Sequence, residues 1–203
     1  MHHHTPTIVA FTGAAGSGKD TAATHLALRH DFAQLAFADV INDMLAVLLE
    51  AFGVDYAVLH ERALKEQPIP QIPGNPSARE LKQRLGDWGR QIHADLWVQA
   101  LACRAGIQDP LRSTPVHTRL VISDVRYPNE AALVARMGGV LLRLRRQQAQ
   151  AVRAHSSEEH TEHLPATMDL ANDHITPYPR FSDLDAVIGN LGLDDTHAES
   201  AAA

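Results

Sequence analysis

The sequence has a single cysteine, Cys103, among 203 residues. One cysteine cannot form an internal disulfide, and it excludes a zinc site built from several thiolates. We expect Cys103 to be a small residue in the core. Long apolar runs are also missing, because the longest, such as Met44–Leu49, are far too short to cross a bilayer. No secretory h-region follows Met1, so we expect a cytoplasmic protein without a membrane partner.

Basic residues are fewer than acidic ones, 18 against 24, which gives a net charge of −6. A protein that binds nucleic acid through its overall field is basic, so we expect no nucleic-acid polymer as a partner. The composition is 45% hydrophobic and 21% charged, which excludes wholesale disorder. The sequence leaves monomer and homodimer open. His2–His4 stay out of the interpretation because such a run can be a purification tag.

Strand patterns alternate with helix patterns along the chain. The sequence predicts strands at Thr7–Thr12, Phe32–Phe37, Arg119–Asp124, Gly139–Leu144 and Asp173–Thr176. It predicts helices at Asp20–His30, Ala38–Phe52, Ser77–Arg90, Asp95–Ala105, Pro128–Met137 and Phe181–Leu191. This alternation indicates an α/β fold with a doubly wound, five-stranded parallel sheet.

Two stretches interrupt the alternation within one domain, predicted at 1–193. Residues 38–105 are helical without a strand, and residues 145–166 are mostly polar. Ligands of doubly wound sheets collect at the carboxyl ends of the strands. We therefore expect the first stretch to be a substrate-binding insertion and the second to be a lid. Residues 194–203 are expected to form a disordered tail.

A glycine-rich segment follows the first predicted strand and opens the first predicted helix. It matches G-x-x-x-x-G-K and comprises Gly13, Ala14, Ala15, Gly16, Ser17, Gly18 and Lys19. Its glycines let successive N–H groups turn around phosphate oxygens, and the helix start adds partial positive charge. Lys19 supplies an ammonium group to the β- and γ-phosphates. We infer a nucleoside triphosphate site, since a third glycine of the dinucleotide fingerprint is missing.

Asp20 and Thr21 stand where a phosphate loop normally places a magnesium-binding hydroxyl. A carboxylate is a good ligand for Mg²⁺, directly or through water. Acidic and hydroxyl side chains also stabilise the first turn of a helix. Metal binding and helix stabilisation therefore both remain open for this pair. The same holds for Asp124 at the end of a strand, which can bind the metal or cap the next turn.

The rest of the chain selects among the reactions that phosphate loops serve. The N-K-x-D segment of a GTP switch is absent, whereas arginines are frequent near the expected site. Guanidinium groups suit a transfer between two phosphate esters, which gathers negative charge from donor and acceptor. Such a transfer needs no general base, because the acceptor is already an anion. The arginines are Arg79, Arg90, Arg126, Arg143, Arg145, Arg146 and Arg153.

Several segments together resemble a known family, the phage-type deoxynucleoside monophosphate kinases. The loop Gly13–Thr21 has an aspartate in the hydroxyl position, and Asp124–Glu130 is similar to the family's D-x-R-[FY]-P-N-E segment. Weaker likenesses are Phe37–Asp39 to F-A-D, Arg79–Val98 to R-E-x-x-Q-x-L-G…R…W-V, and His155–Glu158 to H-x-S-E. The chain departs from the pattern at Asn42, where the family often has lysine.

The resemblance implies an adenylate-kinase-like P-loop fold that transfers the γ-phosphate of ATP to a (deoxy)nucleoside 5′-monophosphate. It implies ATP and Mg²⁺ as cofactors, with Gly13–Thr21 holding both and Asp124 holding Mg²⁺ through water. Lys19, Arg90, Arg126 and Asp124 would then serve catalysis, and Arg145 or Arg146 would contact ATP. The residues expected to face the monophosphate are Asp39, Arg79, Gln83, Arg90, Arg126 and Arg153.

Three alternatives stay open at this point. A kinase of the same architecture could act on dephospho-coenzyme A or phosphomevalonate. A regulatory module could bind ATP without any enzymatic activity. Finally, His155, His160 and His163 could form a zinc site, although the surrounding residues equally fit the start of a solvated lid helix.

Overall fold

The computed structural model describes residues 7–61, 63–107, 119–146, 161–172 and 182–190. Within these ranges five strands form one parallel sheet in the order β2-β3-β1-β4-β5. The strands are β1 (Thr7–Thr12), β2 (Ala33–Leu35), β3 (Arg119–Ile122), β4 (Val140–Arg145) and β5 (Met168–Ala171). The predicted α/β class with a five-stranded parallel sheet is therefore confirmed.

The helices begin and end close to the predicted residues. In the described ranges they are α1 (Lys19–His30), α2 (Asp39–Ala51), α3 (Ala78–Ile92), α4 (Leu96–Arg104), α5 (Pro128–Arg136) and α6 (Ser182–Asn190). The predicted cap of α3 is present, because the Ser77 hydroxyl accepts a hydrogen bond from the Glu80 N–H at 3.2 Å. None of these helices is long and apolar enough to cross a membrane.

The central strand explains where the glycine-rich segment starts. β1 lies between β3 and β4, and its residues Ile8, Val9, Ala10 and Phe11 are all buried. A parallel strand covered on both faces favours such a continuous apolar run over an alternating one. The segment after Thr12 therefore leaves from the middle of the sheet's carboxyl edge.

The chain divides into two compact units, each with its own apolar core. Residues 1–35 and 105–203 form the sheet unit, whose core includes Leu26 and Ile188. Residues 36–104 form the helical unit, whose core includes Leu49 and Trp97. The helical unit covers almost the same residues as the predicted insertion, but its role in binding a substrate stays a prediction.

One expectation about burial is wrong, and others cannot be placed. Cys103 is exposed on α4, because Leu101 and Ala102 occupy the inward positions of that helix. The predicted last strand Asp173–Thr176 lies outside the described residues, and the fifth strand of the sheet is Met168–Ala171. Arg153, His155, His160, most of the predicted lid and the predicted tail also lie outside the described residues.

Candidate functional site

The segment between β1 and α1 curls around the side chain of Lys19. Gly13, Gly16 and Gly18 have φ angles of +132°, +80° and +98°, which side-chain-bearing residues rarely adopt. The Lys19 Nζ donates hydrogen bonds to the carbonyl oxygens of Gly13 at 2.7 Å and Ala14 at 2.8 Å. Only 8% of Lys19 is exposed. The segment thus forms a curled loop, with the ammonium group of Lys19 held by two of its carbonyl oxygens.

Neighbouring strands hold this loop in place. A Cβ atom at Gly13 would collide with the carbonyl oxygen of Leu144 in β4. A Cβ atom at Gly18 would collide with the side-chain amide of Asn172, which follows β5. That amide is buried, and its Nδ2 donates a hydrogen bond to the carbonyl oxygen of Ser17 at 2.7 Å. Two loop glycines are therefore required for close packing as well as for their φ angles.

Two buried hydroxyl groups, one at the end of β1 and one in the loop, lack hydrogen-bond partners among the described residues. They are Thr12 Oγ1 and Ser17 Oγ, and both residues are fully buried. Buried hydroxyl groups in folded proteins are normally hydrogen-bonded. Helix α1 starts beside them at Lys19, where the first-turn N–H groups have no intrahelical acceptor. These donors and the Lys19 ammonium fit the oxygens of a phosphate chain.

Asp20 and Thr21 occupy the first turn of α1, directly after the loop. Both side chains are exposed, so their oxygens are accessible from solvent. An exposed carboxylate beside an exposed hydroxyl is a suitable donor pair for a hydrated Mg²⁺. The same position favours an acidic residue because the N-terminal end of a helix carries partial positive charge. The metal role of this pair stays a prediction.

Asp124 lies beside the carboxyl end of β1, as its place after β3 predicts. Ser123 donates a backbone hydrogen bond to Leu35 at 3.1 Å, and Val125 donates one to Phe11 at 3.0 Å. The half-buried Asp124 therefore stands on a segment that continues the sheet alongside the start of the loop. A strand-end carboxylate at this edge can serve a metal ion bound at the loop.

A buried carboxylate fixes the backbone that carries Arg126. The Oε2 of Glu130 accepts hydrogen bonds from the N–H groups of Arg126 at 2.7 Å and Tyr127 at 3.1 Å. Glu130 is 4% exposed, and Pro128 begins helix α5 between them. In the sequence, Glu130 stands out only as the last residue of the motif Asp124–Glu130, which indicates no role for it. A glutamate two residues after the proline of a helix start is the signal that could have revealed it.

The arginines of β4 are engaged with carboxylates. Arg145, predicted to contact ATP, reaches Asp169 at 2.6 Å (Nε–Oδ2) and Glu162 at 3.1 Å (Nη1–Oε2). The hydrogen bond from Arg145 holds the pKa of Asp169 below its usual range. Arg143 is buried, and it links β4 to β5 by donating to Asp169 at 3.1 Å. Arg146 is exposed after β4, so its predicted contact with ATP stays a prediction.

Three of the predicted acceptor residues share one face of α3. Arg79, Gln83 and Arg90 are four and seven residues apart, which places them on one stripe of a helix. Gly86 lies on the same stripe, where a Cβ atom would come within 3.1 Å of Arg90 Nη2. The guanidinium of Arg90 therefore extends back across Gly86, and it lies 3.7 Å from Asp87 Oδ1.

Two predicted acceptor residues already have local partners. Arg79 pairs with the carboxylate of Glu66 through its Nε. Asp39 begins α2, and its Oδ2 accepts a hydrogen bond from the Ala36 N–H at 2.8 Å. A bound anion would have to compete with the Glu66 carboxylate for Arg79. The roles of Asp39, Arg79, Gln83 and Arg90 in substrate binding stay predictions.

Comparisons with known proteins add one relative. No family model matches the chain. A protein of Acanthamoeba polyphaga mimivirus named "Putative deoxynucleotide monophosphate kinase" is 29% identical over 160 residues, which cover 74% of this chain and 80% of the viral protein. The resemblance to the deoxynucleoside monophosphate kinases that the motifs indicated is confirmed by this similarity.

Solved structures give weaker likenesses. A "putative kinase" from Chloroflexus aurantiacus aligns with a TM-score of 0.45 and 15% identity, covering 93% of this chain and 94% of that protein. A gluconokinase from Sinorhizobium meliloti aligns with a TM-score of 0.41 and 11% identity, covering 96% of this chain and 100% of that protein.

Proposed function

We propose that this protein is a kinase that transfers the γ-phosphate of ATP to a (deoxy)nucleoside 5′-monophosphate and releases the two diphosphates. One observation carries the proposal: the loop after the central strand curls around a buried lysine, and the buried hydroxyls of Thr12 and Ser17 lack partners among the described residues. The name of the mimivirus relative supports the choice of acceptor.

The chain's own residues supply binding and charge neutralisation. The Lys19 ammonium would exchange the carbonyls of Gly13 and Ala14 for phosphate oxygens, which bind an ammonium more strongly because they are charged. The buried hydroxyls of Thr12 and Ser17 can donate to the same oxygens. A bound Mg²⁺, for which Asp20, Thr21 and Asp124 are the ligands we propose, would neutralise further charge on the phosphates.

The acceptor is already an anion, so the transfer needs no general base, and the arginines would orient the acceptor and neutralise its charge. Arg126 is the best-positioned candidate, since Glu130 fixes its backbone next to the strand end that carries Asp124. Arg79 and Arg90 project from one face of α3. Their planar guanidinium groups would each donate hydrogen bonds to the phosphate of the acceptor. Orientation and charge neutralisation are sufficient for this chemistry, because the attacking oxygen needs no deprotonation.

An acceptor panel tests the proposal. ADP release is measured with ATP and Mg²⁺ against all common ribo- and deoxyribonucleoside monophosphates, and also against dephospho-coenzyme A and phosphomevalonate. We expect at least one nucleoside monophosphate to accelerate ADP release far above the rate with ATP alone. Transfer only to a non-nucleotide acceptor would overturn the proposed substrate. Slow hydrolysis that no acceptor stimulates would indicate a regulatory ATP-binding module.

A pair of lysine variants tests the loop itself. We expect Lys19→Met to lower the rate of transfer by at least about 100-fold, the usual effect of removing one preorganised donor from developing charge. Lys65→Met removes the same charge from the helical unit and should leave the rate unchanged. Circular dichroism checks that both variants are folded. A fully active Lys19→Met would contradict the proposed site.

A further inference from the structure

Two histidines and an aspartate of the sheet unit lie close together and include none of the residues of the loop. His25 Nε2 lies 2.6 Å and His30 Nε2 lies 2.9 Å from the same oxygen, Oδ1 of Asp185. The two histidines belong to α1 and the aspartate to α6. The imidazole rings are 6.0 Å apart between centroids. The cluster thus joins two helices through side chains that are 155 and 160 residues apart in sequence.

The scaffold holds these three side chains in position. Leu184 and Ile188 of α6 are buried in the same core as Leu26 of α1, so Asp185 projects from a packed helix. The backbone carbonyl of His30 accepts a hydrogen bond from Arg119 Nη1 at 2.9 Å. The histidine side chains are 20% and 16% exposed, and Asp185 is 42% exposed. The cluster is therefore partly desolvated and still reachable from solvent.

We propose that His25, His30 and Asp185 form a structural binding site for a divalent transition-metal ion such as Zn²⁺. Two imidazole nitrogens and one carboxylate oxygen are a donor set that such ions prefer over Mg²⁺ or Ca²⁺. The three ligand atoms lie within 4.8 Å of one another. In a tetrahedral zinc site neighbouring ligand atoms are about 3.3 Å apart, so the nitrogens need to retreat from the oxygen by roughly half an ångström.

The charge of the cluster is suited to a cation. Asp185 supplies a carboxylate, whose negative charge attracts a metal ion, and His25 and His30 supply two imidazole nitrogens beside it. A metal ion bound here would fasten α6 to α1, the helix that begins with Lys19. It would act on stability and would take no part in phosphate transfer.

Cobalt and zinc titrations test the site. The chain has 13 histidines, so the starting protein is the full chain with His2, His3 and His4 replaced by alanine. We expect one equivalent of Co²⁺ to give the visible ligand-field spectrum of a tetrahedral or five-coordinate site, and one equivalent of Zn²⁺ to remove it. With free Zn²⁺ about 100-fold above its dissociation constant, the ratio of folded to unfolded protein should rise about 100-fold.

Two substitutions locate the ion. Asp185→Asn and His30→Gln should each weaken Zn²⁺ binding by at least about 100-fold. Asp183→Asn removes the same charge from α6 at an exposed position and should bind Zn²⁺ like the starting protein. The absence of stoichiometric binding to the starting protein would overturn the proposal whether or not the variants fold. Unchanged binding by both Asp185→Asn and His30→Gln would also overturn it.

Discussion

Asn172 gives the sharpest prediction about the glycine-rich loop between β1 and α1. Its side-chain Nδ2 donates to the carbonyl oxygen of Ser17 at 2.7 Å, and the residue is 7% exposed. Asn172→Ala removes this donor and leaves the Ser17 carbonyl without its partner. The backbone hydrogen bond from the Asn172 N–H to Arg145 at 2.7 Å does not depend on the side chain. The substitution therefore removes the side-chain contact between Asn172 and the loop, whereas the backbone hydrogen bond between Asn172 and Arg145 remains.

The size of the effect follows from the burial of the carbonyl. A buried acceptor that loses its donor costs about 1–3 kcal/mol in the free energy of unfolding. If the loop detaches without unfolding the protein, ATP must restore its conformation on binding. The same free energy then weakens ATP binding by roughly 5- to 150-fold. Asn172→Asp should weaken ATP binding more than alanine does, because it places a carboxylate against the carbonyl and near the phosphates.

Urea unfolding measures the free energy of unfolding, and calorimetric titration with ATP and Mg²⁺ measures the affinity for ATP. Asn190→Ala, at the exposed end of α6, serves as the matched amide control and should change neither. If Asn172→Ala matches the original protein in both measurements, the Asn172 side chain does not hold the loop in place. Equal affinities of Asn172→Asp and Asn172→Ala for ATP would contradict this role as well.

Three further outcomes are expected. A methyl group at Gly89 would overlap the Trp97 indole, so Gly89→Ala should lower the free energy of unfolding by about 1–3 kcal/mol, and an unchanged urea midpoint would contradict this packing. Because Arg145 depresses the pKa of Asp169, their pairing stabilises the fold above the ordinary carboxyl pKa and is lost as pH falls through the depressed value. In Asp169→Asn the free energy of unfolding should therefore decrease slightly less as the pH is lowered, as urea unfolding at several pH values would show. Finally, Asp20→Ala should raise the Mg²⁺ concentration needed for transfer more than it weakens ATP binding; an unchanged Mg²⁺ titration would assign Asp20 to helix stabilisation.

The elements that the sequence predicts well are those whose signal is local. β1 reads as a continuous apolar run ending in glycine, and the G-x-x-x-x-G-K spacing needs only neighbouring residues. The cap of α3 is equally local, since Ser77 and Glu80 are three residues apart. Such features can be predicted because their residues are close in sequence and the regular geometry of a strand, turn or helix fixes how they are arranged.

The missed features depend on contacts between distant segments. Asn172 touches the loop only because β5 lies next to β4, and β4 next to β1. His25 contacts Asp185 because α6 packs against α1, and the spacing of residues in the sequence does not predict this packing. Strand β5 was also hard to recognise, because its four residues are Met168–Ala171 and only Leu170 among them is partly buried. Edge strands of this kind carry little of the apolar pattern on which prediction relies.

Burial of small residues is a separate weakness of sequence reasoning. Cys103 follows two inward-facing residues of α4, and a helix turns about 100° per residue, so it lies on the outward side. The small apolar side chain of a cysteine does not indicate on which side of a helix the residue lies.

The strand order has a consequence for the growing chain on the ribosome. β1 and its loop are synthesised first, but their neighbours β3 and β4 and the Asn172 amide come from the second half of the chain. A nascent chain that ends before these segments contains the residues of the loop but lacks the neighbouring strands and the amide that hold the loop in its conformation. If the loop binds a nucleotide as we propose, that nucleotide stabilises the chain against proteolysis only after residue 172 has left the exit tunnel.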